Sequence, residues 1–197
     1  MLEETGQIVD VGEWVLKAAC IQQRLWSEMG VAPITLSVNL SVRQFMQPGF
    51  VDRVQAIVEE TGANPELMSL EITESLLLDN ADSMIQLLCR FRDMGFGISI
   101  DDFGTGYSSL SYLKKLPINE LKIDRSFVKD IATELDDGTI AKAIISLAKN
   151  LNLQVVAEGV EEESQLNFLL QEGCTNIQGF YFGKPVPPGE LILPVGV

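Results

Sequence analysis

Short β-prone runs alternate along the chain with longer segments of helical spacing, and several of these runs are unbroken in their apolar residues. Ile34–Asn39, Leu67–Ile72, Gly97–Asp101, Leu121–Ile123, Leu153–Ala157 and Asn176–Phe182 read as strands. Leu2–Met29, Phe50–Glu60, Ala81–Met94, Ser108–Leu116, Thr139–Asn150 and Glu162–Glu172 read as helices. A half-solvated sheet would alternate apolar and polar residues. An unbroken apolar strand is covered on both faces, and with helical crossovers this predicts an α/β fold with a parallel sheet.

Two architectures satisfy that pattern: an open doubly wound sheet, and a TIM-type (β/α)8 barrel with its first units absent and about six strands present. The polar residues discriminate between them. Asn39, Glu71, Asp101 with Asp102, Lys122, Glu158 and Gln178 all fall at the C-terminal ends of predicted strands. In a barrel those ends converge on one mouth, where such folds carry their active sites. An open sheet concentrates its ligand at one switch point, too narrow for six contributing strands. The barrel is the expected fold.

The length of 197 residues suits one domain, residues 1–197, with a core that needs no disulfide or structural metal. Acidic residues outnumber basic ones 28 to 14, and the formal net charge of −14 opposes DNA binding through a basic surface. Histidine is absent, so His-based triads and H-E-x-x-H metal sites are excluded. Catalysis would have to rest on carboxylates, amides and lysine. Cys20, Cys89 and Cys174 form no C-x-x-C pair and read as reduced core thiols of a cytoplasmic protein. No uncharged run reaches the roughly 18 residues of a membrane span, so no membrane segment is expected.

Carboxylates and an amide oxygen are hard ligands suited to Mg²⁺ or Mn²⁺, and two such ions about 4 Å apart activate water and stabilise a phosphodiester's leaving oxygen. Asp101 and Asp102 stand out, because neighbouring acids at a strand end allow one carboxylate to bridge both ions. Plainer readings exist for each residue. A lone acid after a strand is commonly a helix cap, which applies to Glu71 or Glu158 alone. Asp101-Asp102 could cap the turn before Phe103-Gly104-Thr105-Gly106, Asn39 could form an Asx-turn, and Lys122 could pair with Asp124 at the surface. Glu74 could favour a helix start or accept backbone bonds from the Gly-rich loop. Gln178-Gly179-Phe180 reads as a strand end with a close backbone approach, or as a glutamine orienting water or substrate. Six polar strand ends together favour the functional reading.

The motifs Ser37-Val38-Asn39-Leu40-Ser41, Leu70-Glu71-Ile72-Thr73-Glu74-Ser75, Asp101 to Leu110, Leu121 to Phe127 and Val156 to Glu161, with Gln178-Gly179-Phe180 and Lys184-Pro185, resemble the EAL domain family in order and spacing. The resemblance implies a (β/α)8 barrel that hydrolyses cyclic di-GMP to linear pGpG with Mg²⁺ or Mn²⁺ in a two-metal site. By motif position, Asn39, Glu71 and Asp101 would be metal ligands and Asp102 would hold the second ion. Lys122 would contact the attacking water, Glu158 would act as base or second-metal ligand, and Gln178 would position the reacting groups. Glu74 would brace the loop after Asp102, which in the family also contributes to dimer contacts, so a homodimer or oligomer is expected. Upstream sensory or diguanylate cyclase domains are common in such proteins.

One departure accompanies the resemblance. Family members carry two strands before the helix that begins here at Leu2, and the second ends in the E-x-L glutamate that ligates metal. The expectation is a barrel about 50 residues shorter than the usual 250 or so, one ligand short and with little or no phosphodiesterase activity. The alternative is a noncatalytic cyclic di-GMP-binding or protein-interaction module.

Overall fold

A computed structural model describes residues 2–74, 81–106, 110–131 and 138–191. Among the described residues, six strands form one sheet and follow one another in chain order, with the β1–β2, β3–β4, β4–β5 and β5–β6 pairs parallel. They are β1 (Leu36–Leu40), β2 (Met68–Thr73), β3 (Gly97–Phe103), β4 (Glu120–Ile123), β5 (Gln154–Ala157) and β6 (Asn176–Ile177). The helices are α1 (Leu2–Thr5), α2 (Ile8–Glu28), α3 (Val42–Phe45), α4 (Phe50–Thr61), α5 (Ala81–Asp93), α6 (Leu110–Leu113), α7 (Arg125–Asp130), α8 (Thr139–Asn150) and α9 (Glu163–Gln171). By contact, the chain divides into two compact units, residues 1–72, 80–98 and 186–197, and residues 73–79 and 99–185.

In the first unit, α2 turns Leu16, Cys20 and Trp26 inward at helical spacing. Four phenylalanines, Phe45, Phe50, Phe91 and Phe96, pack with ring centroids 5.7–6.1 Å apart, mostly edge to face. Burying each such ring contributes about 2 kcal/mol. They bring α3, α4 and α5 together. β1 stops at Leu40 because Ser41 caps α3: the Ser41 side chain accepts from Gln44 N, and the buried Gln44 side chain accepts from Ser41 N at 3.0 Å. This reciprocal cap is a strong stop signal. It sets where the strand carrying Asn39 ends.

The second unit builds on β4 and β5, covered by α8. Leu121 and Ile123 are fully buried, as are Ala141 and Ala148 of the covering helix. Alanines on that face let α8 approach the sheet closely. The Glu162–Gln165 capping box starts α9, and Lys149 donates to Glu172 O at 2.7 Å where α9 ends.

Several expected boundaries move. The single helix from Leu2 to Met29 breaks at Gly6 and Gln7 into α1 and α2. Of the helix expected over Ser108–Leu116, the described part spans Leu110–Leu113, and residues 107–109 lie outside the described residues. The last strand covers two residues, Asn176–Ile177, because the chain turns back at Gly179, where Phe182 N bonds Gly179 O at 3.1 Å. Cys20 and Cys174 are buried and free, whereas Cys89 is exposed on α5, so the core reading holds for two of the three thiols.

Candidate metal and catalytic site

The acidic pair on β3 owes its geometry to a register fault. Ser99 pairs with Glu120 and Ile100 with Leu121, but the next partners are Phe103 and Ile123. Two residues, Asp101 and Asp102, therefore stand opposite the single Lys122. Consecutive side chains of a regular strand point to opposite faces; a bulge removes that constraint. Asp102 takes up the extra residue with a φ of 52°, a left-handed value that Asp tolerates better than most residues and that signals local strain. Both carboxylates thereby reach one place: Asp101, Asp102 and Glu158 each offer an oxygen, and the three oxygens lie within 4.8 Å of one another.

Lys122 stands among them. Its Nζ lies 2.6 Å from Glu158 Oε1 and 3.3 Å from Asp101 Oδ1, and the residue is only 5% exposed. A buried amine needs such partners to stay charged. Both partners lie within the cluster, whereas the sequence offered a surface pair with Asp124. Glu158 follows β5, and its N–H bonds Ile123 O at 3.2 Å, which joins the two strand ends that carry the lysine and the glutamate.

Asp124 is the functional candidate that sequence reasoning passed over. Its carboxylate caps α7 by accepting from Ser126 N at 2.9 Å and from the Ser126 hydroxyl. It also faces the carboxyl of Asp102. Burial, Asp101 and the Asp124 partner push the Asp102 carboxyl up, with Lys122 pulling the other way. Asp124 also suffers desolvation, but hydrogen bonds from Ser126, from Asp102 and from the Arg125 backbone outweigh it and hold its carboxyl down. Of the two, Asp102 is the carboxyl that takes up a proton first as pH falls. A usable sequence signal existed: Asp124 lies two residues beyond Lys122, the spacing that returns to the same face of a strand.

A prediction follows for Asp102→Asn. A carboxyl whose pKa is raised on folding favours the folded state while protonated, and this contribution disappears as pH rises through the folded value. At neutral pH the ionised Asp102 is a net cost, and an amide can still donate to Asp124. The variant is expected to melt about 1–3 °C higher than the parent at pH 7 in chelator, with a smaller difference in mild acid, and to lose affinity for Mn²⁺. Paired melting curves at two pH values check it.

Glu74 lies directly after β2 and is buried. Its Oε2 accepts from Gly104 N at 3.0 Å and Gly106 N at 3.1 Å, so one carboxylate holds two amides of the loop that follows the acidic pair. Gln178, one residue past β6, is tied through its backbone to Ala157 O at 2.8 Å and Val160 N at 3.1 Å, while its side chain is exposed. In the first unit, Asn39 and Glu71 are register partners on β1 and β2. Asn39 is exposed and Glu71 buried. The second unit thus assembles Asp101, Asp102, Lys122, Glu158 and Asp124 in one cluster, and the first unit places Asn39 beside Glu71.

The carboxylate cluster fits a hard divalent cation by donor type and by spacing. Acids and a lysine at the strand ends of a parallel α/β sheet place the candidate site where enzymes of this fold class carry theirs. Comparison with known proteins narrows this: the EAL domain family matches residues 1–185, and the chain belongs to that family. It is 49% identical to the bifunctional diguanylate cyclase/cyclic di-GMP phosphodiesterase MucR of Pseudomonas aeruginosa over 195 residues, which are 99% of this chain and 28% of the relative. It is 43% identical to the cyclic di-GMP phosphodiesterase NbdA of the same organism over 191 residues, 97% of this chain and 24% of NbdA. The chain thus spans about a quarter of the length of these curated relatives. Among solved structures, the MucR phosphodiesterase in complex with c-di-GMP superposes with a TM-score of 0.93, covering 97% of this chain and 77% of that one at 49% identity. The EAL domain of Mycobacterium smegmatis DcpA gives 0.85 at 43% identity, over 91% of this chain and 81% of that one. These neighbours are EAL domains, whose fold is the TIM-type barrel expected from the motifs. Among the described residues, no helix is long and apolar enough to cross a membrane.

Proposed function

We propose that this chain is a cyclic di-GMP phosphodiesterase of the EAL class that opens the cyclic dinucleotide to linear pGpG by a two-metal mechanism with Mg²⁺ or Mn²⁺. The observation that carries the reading is the convergence of Asp101, Asp102, Glu158 and Lys122 at adjoining strand ends, three acids and one buried amine in a single cluster. Bound cations would polarise the phosphodiester and lower the pKa of a bound water. The ligand assignments to Asn39 and Glu71 of the first unit, and to Asp101, Asp102 and Glu158 of the second, belong to this proposal.

The remaining roles follow from chemistry. Lys122, held between two carboxylates, donates hydrogen bonds and positive charge to an attacking oxygen. Glu158, hydrogen-bonded to that lysine, accepts a proton from the attacking water or holds a cation. Gln178 orients the reacting groups through its amide. Glu74 keeps the loop after Asp102 in place through Gly104 and Gly106. An acidic protein would attract a polyanionic substrate through its bound cations.

Titration with cyclic di-GMP in Ca²⁺, set beside turnover in Mn²⁺, tests the reading. Formation of pGpG supports the enzyme. Saturable binding without product replaces it with a noncatalytic binding module, and absence of both overturns both readings.

A further inference from the structure

Arg125 is the first residue of α7, directly after Asp124, and it touches the loop that follows β5 at two points. Its Nη2 lies 2.6 Å from Glu161 Oε1. Its aliphatic stem lies on Gly159: a Cβ added there would meet Arg125 Cγ at 2.2 Å and Arg125 Cβ and Cδ at 2.8 Å. Gly159 also has a φ of 72°, so both its conformation and the stem above it exclude a side chain. Beneath this contact run the bonds that hold the loop, Glu158 N to Ile123 O at 3.2 Å and Val160 N to Gln178 O at 3.1 Å. The far end is gripped by the buried Gln165, whose Oε1 accepts from Glu161 N at 2.8 Å and Glu162 N at 3.0 Å.

From this geometry we propose that Arg125 is a positioning residue, a strap from α7 across Gly159 to Glu161 that fixes Glu158 against Lys122. The competing view is an ordinary surface ion pair. The Arg125 and Glu161 side chains are 60% and 44% exposed, and exposed pairs contribute little to global stability. The two views agree on the melting temperature and differ on the loop. A strap controls local opening of residues 158–161; a surface pair does not.

The test uses Arg125→Met, which keeps the stem and loses the guanidinium, together with Glu161→Gln, the double variant and Arg125→Lys. Amide exchange is followed in metal-free protein, and Mn²⁺ binding is followed by electron paramagnetic resonance of the free ion. All variants should melt within about 2 °C of the parent. Exchange at Glu158 and Val160 should accelerate about fivefold in either single variant and no further in the double, because the two groups act as one unit. Arg125→Lys should return exchange to within about twofold of the parent, since charge and stem are kept. The Mn²⁺ dissociation constant should rise about fivefold in the same pattern. Unchanged exchange in the single variants, or additive effects in the double, overturns the strap, even if Mn²⁺ affinity falls. The Mn²⁺ arm rests on the proposed function. If the parent binds no Mn²⁺, that reading fails by itself, and exchange still decides the strap.

Discussion

Lys122→Met is expected to destabilise the metal-free protein by about 3 kcal/mol, because it strips the buried amine from between Asp101 and Glu158 and leaves two half-buried carboxylates uncompensated. The loss should be larger at neutral pH than in mild acid. With the amine gone, the neighbouring acids repel one another while ionised, and mild acid relieves that repulsion. Added Mn²⁺ should restore much of the stability, since the cation occupies the same electrostatic role. Urea unfolding in chelator, repeated with Mn²⁺, measures both effects. Under the proposed function, turnover should also fall at least about 100-fold, because the residue that contacts the attacking oxygen is lost. A variant as stable as the parent in chelator would show that the acids do not depend on the amine.

Gly179→Ala is expected to cost about 3 kcal/mol and to lower the melting temperature by about 8 °C. A Cβ at this position would stand 2.1 Å from Val160 O and 2.4 Å from Val160 N. Both are backbone atoms, so no rotamer change relieves the contact. The chain after β6 would have to move away from the loop after β5, which breaks the Val160 N–Gln178 O bond at 3.1 Å and the Tyr181 N–Val160 O bond at 3.0 Å. Calorimetry of the variant checks this, and an unchanged transition would refute the close approach. The same displacement would draw Gln178 away from Ala157.

The strand-and-helix alternation was legible in the sequence because it follows from where apolar residues fall. The unbroken run Leu70-Glu71-Ile72, whose leucine and isoleucine are fully buried, marked a covered strand with one polar member, and β2 forms there. The polar strand ends were legible for the same reason. What resisted was anything set by register. Nothing in Ile100-Asp101-Asp102-Phe103 announces that two acids will face one lysine, since the bulge exists only relative to β4. The partner of Lys122 was hidden likewise: Asp124 is near in sequence, while Glu158 is distant in sequence and adjacent in the sheet. The role of Asp124 needed the fold, because its contact with Asp102 joins two strands. The brevity of β6 follows from Gly179, whose tight approach to Val160 turns the chain where alternation alone would continue it.

The fault in β3 also acts as a change of parity. Before it, the odd-numbered residues Ser99 and Asp101 share the face of Glu120 and Lys122, and Ile98 and Ile100 sit on the other side. After it, the odd-numbered Phe103 shares the face of Leu121 and Ile123. Deleting either aspartate would remove the bulge and leave a regular strand, in which a single acid faces Lys122 and Phe103 still pairs with Ile123 on the buried face. The loop beyond, with the amides of Gly104 and Gly106 on Glu74, would keep its place. The extra residue is thus an insertion that the sheet absorbs on the spot: it adds a carboxylate to the cluster without changing the address of anything that follows.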